Sequence, residues 1–114
     1  MQQQAELEEI EKNEQKLKEW KRFQMERDGL IAPRDSYKKG SLYYDNVELT
    51  DVYKAVEKEV DELAERMVKK EHGIKPGRMG FCVYFWSCKE KILKEKYGIE
   101  WRAPNTMNPR VMFD

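Results

Sequence analysis

The chain has 114 residues, 39% hydrophobic and 39% charged, and its 22 basic side chains cancel its 22 acidic ones. That length gives one domain that buries roughly 65% of its unfolded surface, and the balance excludes a chain-wide attraction to nucleic acid or to a membrane surface. Two cysteines are too few for a disulfide scaffold, and no apolar run approaches the ~18 residues of a membrane span.

Three charged, helix-favouring runs end at a glycine followed by an aliphatic residue: Asp28-Gly29-Leu30, His72-Gly73-Ile74 and Tyr97-Gly98-Ile99. This is the pattern of a helix C-cap in which glycine turns left-handed and the next residue folds back on the last turn. It predicts three helices and an all-α fold: a small three-helix domain with an extended C-terminal tail packed on the helices and a partly projecting N-terminal helix. Residues 1–29 form the charged arm, residues 30–114 the helical core domain, and residues 99–114 its tail.

The first helix, Gln3 to Asp28, places Glu6, Glu8, Glu9 and Glu11 early and Lys16, Lys18, Lys21 and Arg22 late, complementing the helix dipole. A heptad frame through Leu7, Ile10 and Leu17 is interrupted by Glu14, Lys21 and Gln24. Docking of the second half through Leu17, Trp20, Phe23 and Met25 is therefore expected over a coiled coil, with dimerisation through this helix as the alternative.

Residues 30–45 read as a connector with Pro33, Gly40 and three tyrosines, Tyr37, Tyr43 and Tyr44. Asp45 with Glu48 three places on has the form of a capping box opening the second helix. Leu49, Val52, Tyr53, Val56, Val60, Leu63 and Met67 step by three and four, which predicts one buried face.

The third block opens with Gly80-Phe81-Cys82-Val83-Tyr84-Phe85-Trp86, a run whose β-branched and aromatic content suits a strand. No turn signal separates it from the helical composition of residues 87–97, so a single helix is expected, with residues 81, 82, 85, 86, 88, 92, 93 and 97 as its apolar stripe. In the tail, Trp101, Met107, Val111, Met112 and Phe113 are expected to pack rather than face water.

Catalytic chemistry is poorly supplied. The single histidine, His72, sits where imidazolium favours a helix C-terminus. Cys82 and Cys88 lie about 240° apart on a helix and match no zinc spacing, so they read as buried thiols in a reducing compartment. No catalytic residue, metal or cofactor is assigned. The loop Lys75-Pro76-Gly77-Arg78-Met79-Gly80 feeds a helix start and could hold a phosphate between its two cations. With Lys91, Lys94 and Arg102 it makes the candidate anion or nucleic-acid surface, residues 73–114 carrying eight basic and four acidic groups. Trp20, Phe23, Tyr43 and Tyr44 are the candidate protein-interface residues.

Gly80, Cys82, Trp86, the run Ile92-Leu93-Lys94-Glu95-Lys96-Tyr97-Gly98-Ile99, Trp101, Pro104, Asn108, Pro109 and the closing Phe113-Asp114 resemble the C-terminal end of small uncharacterised proteins of phages and mobile elements in Firmicutes. The resemblance covers a third of the chain and implies an accessory role, with no catalytic residues to carry over; Val83 stands where similar sequences have a histidine. The expectation is a cytoplasmic, non-enzymatic accessory or inhibitory protein that binds another protein. The alternative is a nucleic-acid-binding accessory protein, and no membrane association is expected.

Overall fold

The computed structural model describes residues 2–113, with side chains from Glu6 onward. Its helices are α1 (Gln2–Arg27), α2 (Asp51–His72), α3 (Phe81–Tyr97) and the single-turn α4 (Pro104–Met107). A hairpin of β1 (Ser36–Lys39) and β2 (Leu42–Asp45) and a 3-10 turn (Asn46–Leu49) lie between α1 and α2. The fold is largely all-α, as the glycine punctuation predicts.

The caps carry that punctuation physically. Gly29, Gly73 and Gly98 take φ of 74°, 65° and 65°. At two of them the following N–H reaches back over the last turn, from Leu30 to the Met25 carbonyl and from Ile99 to the Leu93 carbonyl, each at 2.9 Å. The start of α2 differs from the capping-box expectation. Asp45 accepts from the Val47 N–H at 3.1 Å and so caps the 3-10 turn, whereas Thr50 Oγ1 accepts from the Tyr53 N–H at 3.3 Å and caps α2. Leu49 and Val52 accordingly fall outside the buried stripe and are exposed.

The core forms where α2 lies against α3 and the tail crosses both. Tyr53, Val60, Ala64 and Val68 of α2 meet Cys88, Ile92 and Leu93 of α3 and Ile99, Trp101 and Ala103 of the tail. Each large side chain fully buried there contributes about 1.5–3 kcal/mol. Helix wins over strand in residues 81–86 because winding the run distributes its aromatics. Phe81 and Phe85 stack one turn apart at 5.6 Å, and Trp86 meets the edge of Phe113 at 4.9 Å. The tail is not wholly extended, since Pro104 opens the short turn of α4. Val111 and Met112 remain exposed, contrary to the packing expected of them, while Met107 is buried.

The connector departs from expectation as well, because it folds into a hairpin. Lys39 pairs with Leu42, so Gly40 and Ser41 form a two-residue loop in which only Gly40 has positive φ, the type II′ pattern. Tyr37 and Tyr44 stack across the strands at 5.6 Å.

A further departure is α1. Leu17, Trp20, Phe23 and Met25 are all exposed instead of docked. The helix is tied at its base, where Arg34 pairs with Glu26 at 3.2 Å and Arg110 Nε donates to the Asp28 carbonyl at 2.8 Å. Its projection gives the molecule extents of 65 × 29 × 27 Å.

Candidate functional site

The most unusual chemistry inside the fold is a buried ammonium. Lys89 has 6% exposure on the inner face of α3. Its Nζ approaches Asp61 Oδ1 on α2 to 2.8 Å, an ion pair outside good hydrogen-bond geometry. The same Nζ lies 5.2 Å from the Tyr53 ring and 5.0 Å from the Trp101 ring, cation–π distances on two sides. The indole of Trp101 donates to Glu48 Oε2 at 2.9 Å, and the Tyr37 hydroxyl donates to Glu48 Oε1. Burial pushes the Glu48 carboxyl above its ordinary range against the pull of the Trp101 N–H and of Lys89. These contacts join hairpin, α2, α3 and tail through one polar chain. Their distances and burial fit a structural device that fixes how four elements meet.

A second polar clamp seats the hairpin. Asp45 Oδ2 accepts from the Arg102 N–H at 2.9 Å and from Arg102 Nε at 3.0 Å. The rest of that guanidinium donates to the carbonyls of Arg34 and Asp35. Beside it, Asn108 Oδ1 accepts from the Tyr43 N–H and Asn108 Nδ2 donates to the Tyr43 carbonyl, both at 2.8 Å. Next to the closing pair of a two-residue hairpin, Tyr43 sits at a non-hydrogen-bonded position, so its backbone groups point away from β1. The Asn108 amide takes the place of a neighbouring strand on that edge.

The predicted site residues separate into groups. Arg102 is committed to the Asp45 clamp, and Lys94 stands on the outer side of α3 near Glu90, Glu100 and Arg102. Lys75 lines a shallow pocket of about 340 Å³ with Glu65, Arg66 and Lys69 from the later half of α2. Arg78 and Lys91 are exposed. The structure therefore does not gather all five cations into one surface. Tyr43 and Tyr44 are half-buried in the hairpin, with Lys38 over the Tyr43 ring at 5.9 Å. Trp20 and Phe23 are 56% and 58% exposed on α1, which makes them the freest large apolar groups among the named candidates.

His72 stacks on Tyr84 at 4.0 Å and so links the end of α2 to the start of α3. Cys82 and Cys88 are free thiols, and burial raises the Cys88 thiol above its ordinary range. Among the described residues no three metal-ligating side chains converge. An open groove of about 520 Å³ lies between α2 and the first turns of α3, with Lys54, Lys58 and four carboxylates of α2 along one side and Phe81 and Phe85 along the other. Among the described residues no helix is long and apolar enough to cross a membrane.

No protein-family model matches the chain, and neither the curated proteins nor the solved structures contain a match.

Sequence reasoning missed Lys89 and Asn108. The first carries a signal: position 89 lies four residues after Phe85 and three before Ile92, on the apolar stripe itself. The second carries none, because its partner Tyr43 lies 65 residues away.

Proposed function

We propose that this protein is a non-enzymatic accessory or inhibitory module that acts by binding another protein, with the projecting α1 as its principal contact surface. The observation that supports this is the exposure of Trp20 and Phe23 on a helix that the core leaves uncovered. Large aromatics are the residue type most often found at the energetic centre of interfaces, and water is a poor place to leave two of them. The resemblance of the C-terminal third to small phage-encoded proteins is consistent with an accessory role. The polar networks around Lys89 and Asp45 are tied into packing and supply no nucleophile paired with a base, so the reading assigns no catalytic residue.

Affinity capture of the purified protein from lysate, with and without nuclease, tests the proposal when run beside the double variant Trp20→Glu, Phe23→Glu. A partner protein that survives nuclease and is lost with the variant is the expected result. Recovery that depends on nucleic acid would overturn it.

A second reading rests on Lys75 beside Arg66 and Lys69. There the protein binds a nucleic-acid backbone through this corner, with the exposed Arg78 and Lys91 as further cations. Its affinity for duplex or single-stranded DNA then falls steeply with salt, and Lys75→Glu with Arg78→Glu abolishes the mobility shift. A null response at every salt concentration removes this reading.

A further inference from the structure

We infer that α1 pairs with α1 of a second copy of this chain, antiparallel, about a two-fold axis that crosses the helix between residues 13 and 14. This names a partner for the surface assigned above and rests on that assignment.

Six large apolar side chains are exposed along the helix: Leu7, Ile10, Leu17 and Trp20, at spacings of three, seven and three, make its outer part, and Phe23 and Met25 follow nearer its base. At 3.6 residues per turn these four fall within an arc of about 140°, two on either side of the polar pair Asn13 and Glu14 at the midpoint. The spacing reads the same in both directions about its midpoint. An isologous antiparallel contact needs that symmetry, because each residue meets the partner residue equally far on the other side of the axis. Leu7 then faces the partner's Trp20, and Ile10 faces the partner's Leu17.

Charge makes the same choice. Residues 6–14 carry five glutamates and one lysine, whereas residues 15–27 carry five basic groups and two glutamates. A parallel pair would set acid on acid and base on base along its length. An antiparallel pair sets the acidic half of each copy on the basic half of the other. On the two flanks of the stripe it brings Glu9 beside the partner's Lys16 and Glu11 beside the partner's Lys18. Lys21, which spoils a parallel heptad seam, then meets the partner's Glu6, whereas Glu14 lies beside the two-fold axis and meets the partner's Asn13. The paired length is only about 20 Å, so the dimer is expected at the small end of specific interfaces and to depend on concentration.

Sedimentation equilibrium of the full chain over a roughly hundredfold concentration range, at low and high salt, tests the inference. The expected result is a monomer–dimer equilibrium that weakens with salt. Trp20→Glu, an exposed position with no core contact, should weaken it at least about tenfold, the equivalent of ~1.4 kcal/mol, with no change in thermal unfolding measured on the monomer. The variant Glu9→Lys, Glu11→Lys and the variant Lys16→Glu, Lys18→Glu should each be monomeric alone and should associate when mixed. A photoreactive benzoylphenylalanine in place of Leu7 fixes the orientation: cross-links near Trp20 are expected, and cross-links near position 7 would overturn the antiparallel arrangement. A monomer at every concentration, or a dimer indifferent to Trp20→Glu, overturns the pairing. A monomer that still captures a heterologous protein in lysate would sink this inference alone, whereas a dimer that captures nothing would count against the accessory-binding reading.

Discussion

The ammonium of Lys89 lies 5.0 Å from the centre of the Trp101 indole, deep between α3 and the tail. The arrangement is asymmetric, because the Lys89 side chain is 7% exposed while its ion-pair partner Asp61 is 39% exposed. Removing the carboxylate therefore strands a buried charge, whereas removing the ammonium leaves a carboxylate that water can reach.

Asp61→Ala is accordingly expected to destabilise by about 2–3 kcal/mol, below the ~3–5 kcal/mol of a fully buried pair because solvent already screens Asp61. Lys89→Met fills the same volume with an apolar chain that still touches Tyr53 and Trp101, and it should cost less than about 1.5 kcal/mol. Urea unfolding of the two variants decides the point. Equal losses, or a larger loss for Lys89→Met, would show that the cation–π contacts dominate over the stranded charge.

Asn108 is expected to tolerate neither truncation nor charge. Its amide makes three hydrogen bonds at 2.8 Å, two to Tyr43 and one to the Pro104 carbonyl. Asn108→Asp keeps the shape but turns the donor nitrogen into an acceptor facing two carbonyls, so it should cost as much as Asn108→Ala, about 2–4 kcal/mol. Amide exchange read by NMR should show the Tyr43 N–H losing protection in both variants. Retained protection in Asn108→Asp would refute the strand-like role.

What the sequence reveals here is set by the range of the interactions. The glycine caps are local, so Gly29, Gly73 and Gly98 announce the ends of α1, α2 and the third helix directly. The hairpin hides because neither strand alternates apolar and polar residues, and its outer edge is satisfied by a side chain from the far end of the chain. Asp45 and Glu48 fit a capping box in spacing, but distant partners compete for both, Arg102 for one and Trp101 for the other. The solvated placement of α1 follows from weak local evidence. Four apolar side chains in a charged helix look like a docking face until the core proves complete without them. For the candidate site, Trp20 and Phe23 are legible as large aromatics in a polar arm, while the separation of Lys75, against the end of α2, from Lys94 and Arg102, which share a pocket between α3 and the tail, is a matter of tertiary structure alone.

Gly98→Ala isolates backbone strain from crowding. Gly98 has φ of 65° and no atom within 4 Å of the position a Cβ would take, so the cost is that of holding alanine left-handed, about 1–2 kcal/mol. Gly29→Ala adds a Cβ contact at 3.0 Å to the Arg110 side chain, which also donates to the Asp28 carbonyl. It should therefore cost more than Gly98→Ala by chemical denaturation. A smaller loss would mean that Arg110 moves aside freely and that its bond to Asp28 contributes little.

The buried Asp45 and the half-buried Glu48 give the protein opposing pH responses. Burial alone would raise Asp45, but the bonds from the Arg102 side chain and from the Val47 and Arg102 N–H groups outweigh it and hold the carboxyl below its ordinary 3.8. The unfolded chain then takes up the Asp45 proton first, so the stability from this carboxylate is present above ~3.8 and is lost as pH falls through the lowered folded value. Glu48 lies above its ordinary 4.5, chiefly through burial, so the folded chain takes up that proton first. Stability therefore rises as pH falls through the folded Glu48 value toward 4.5. Urea midpoints measured from neutral pH downward should show Glu48→Gln losing a gain that the wild type makes just above pH 4.5. Asp45→Asn should start about 1–3 kcal/mol less stable at neutral pH, from the loss of charged hydrogen bonds, and converge on the wild type at the acid end. Curves for Asp45→Asn and wild type that stay parallel down to the most acidic point would show that the Arg102 bonds do not depend on the Asp45 charge.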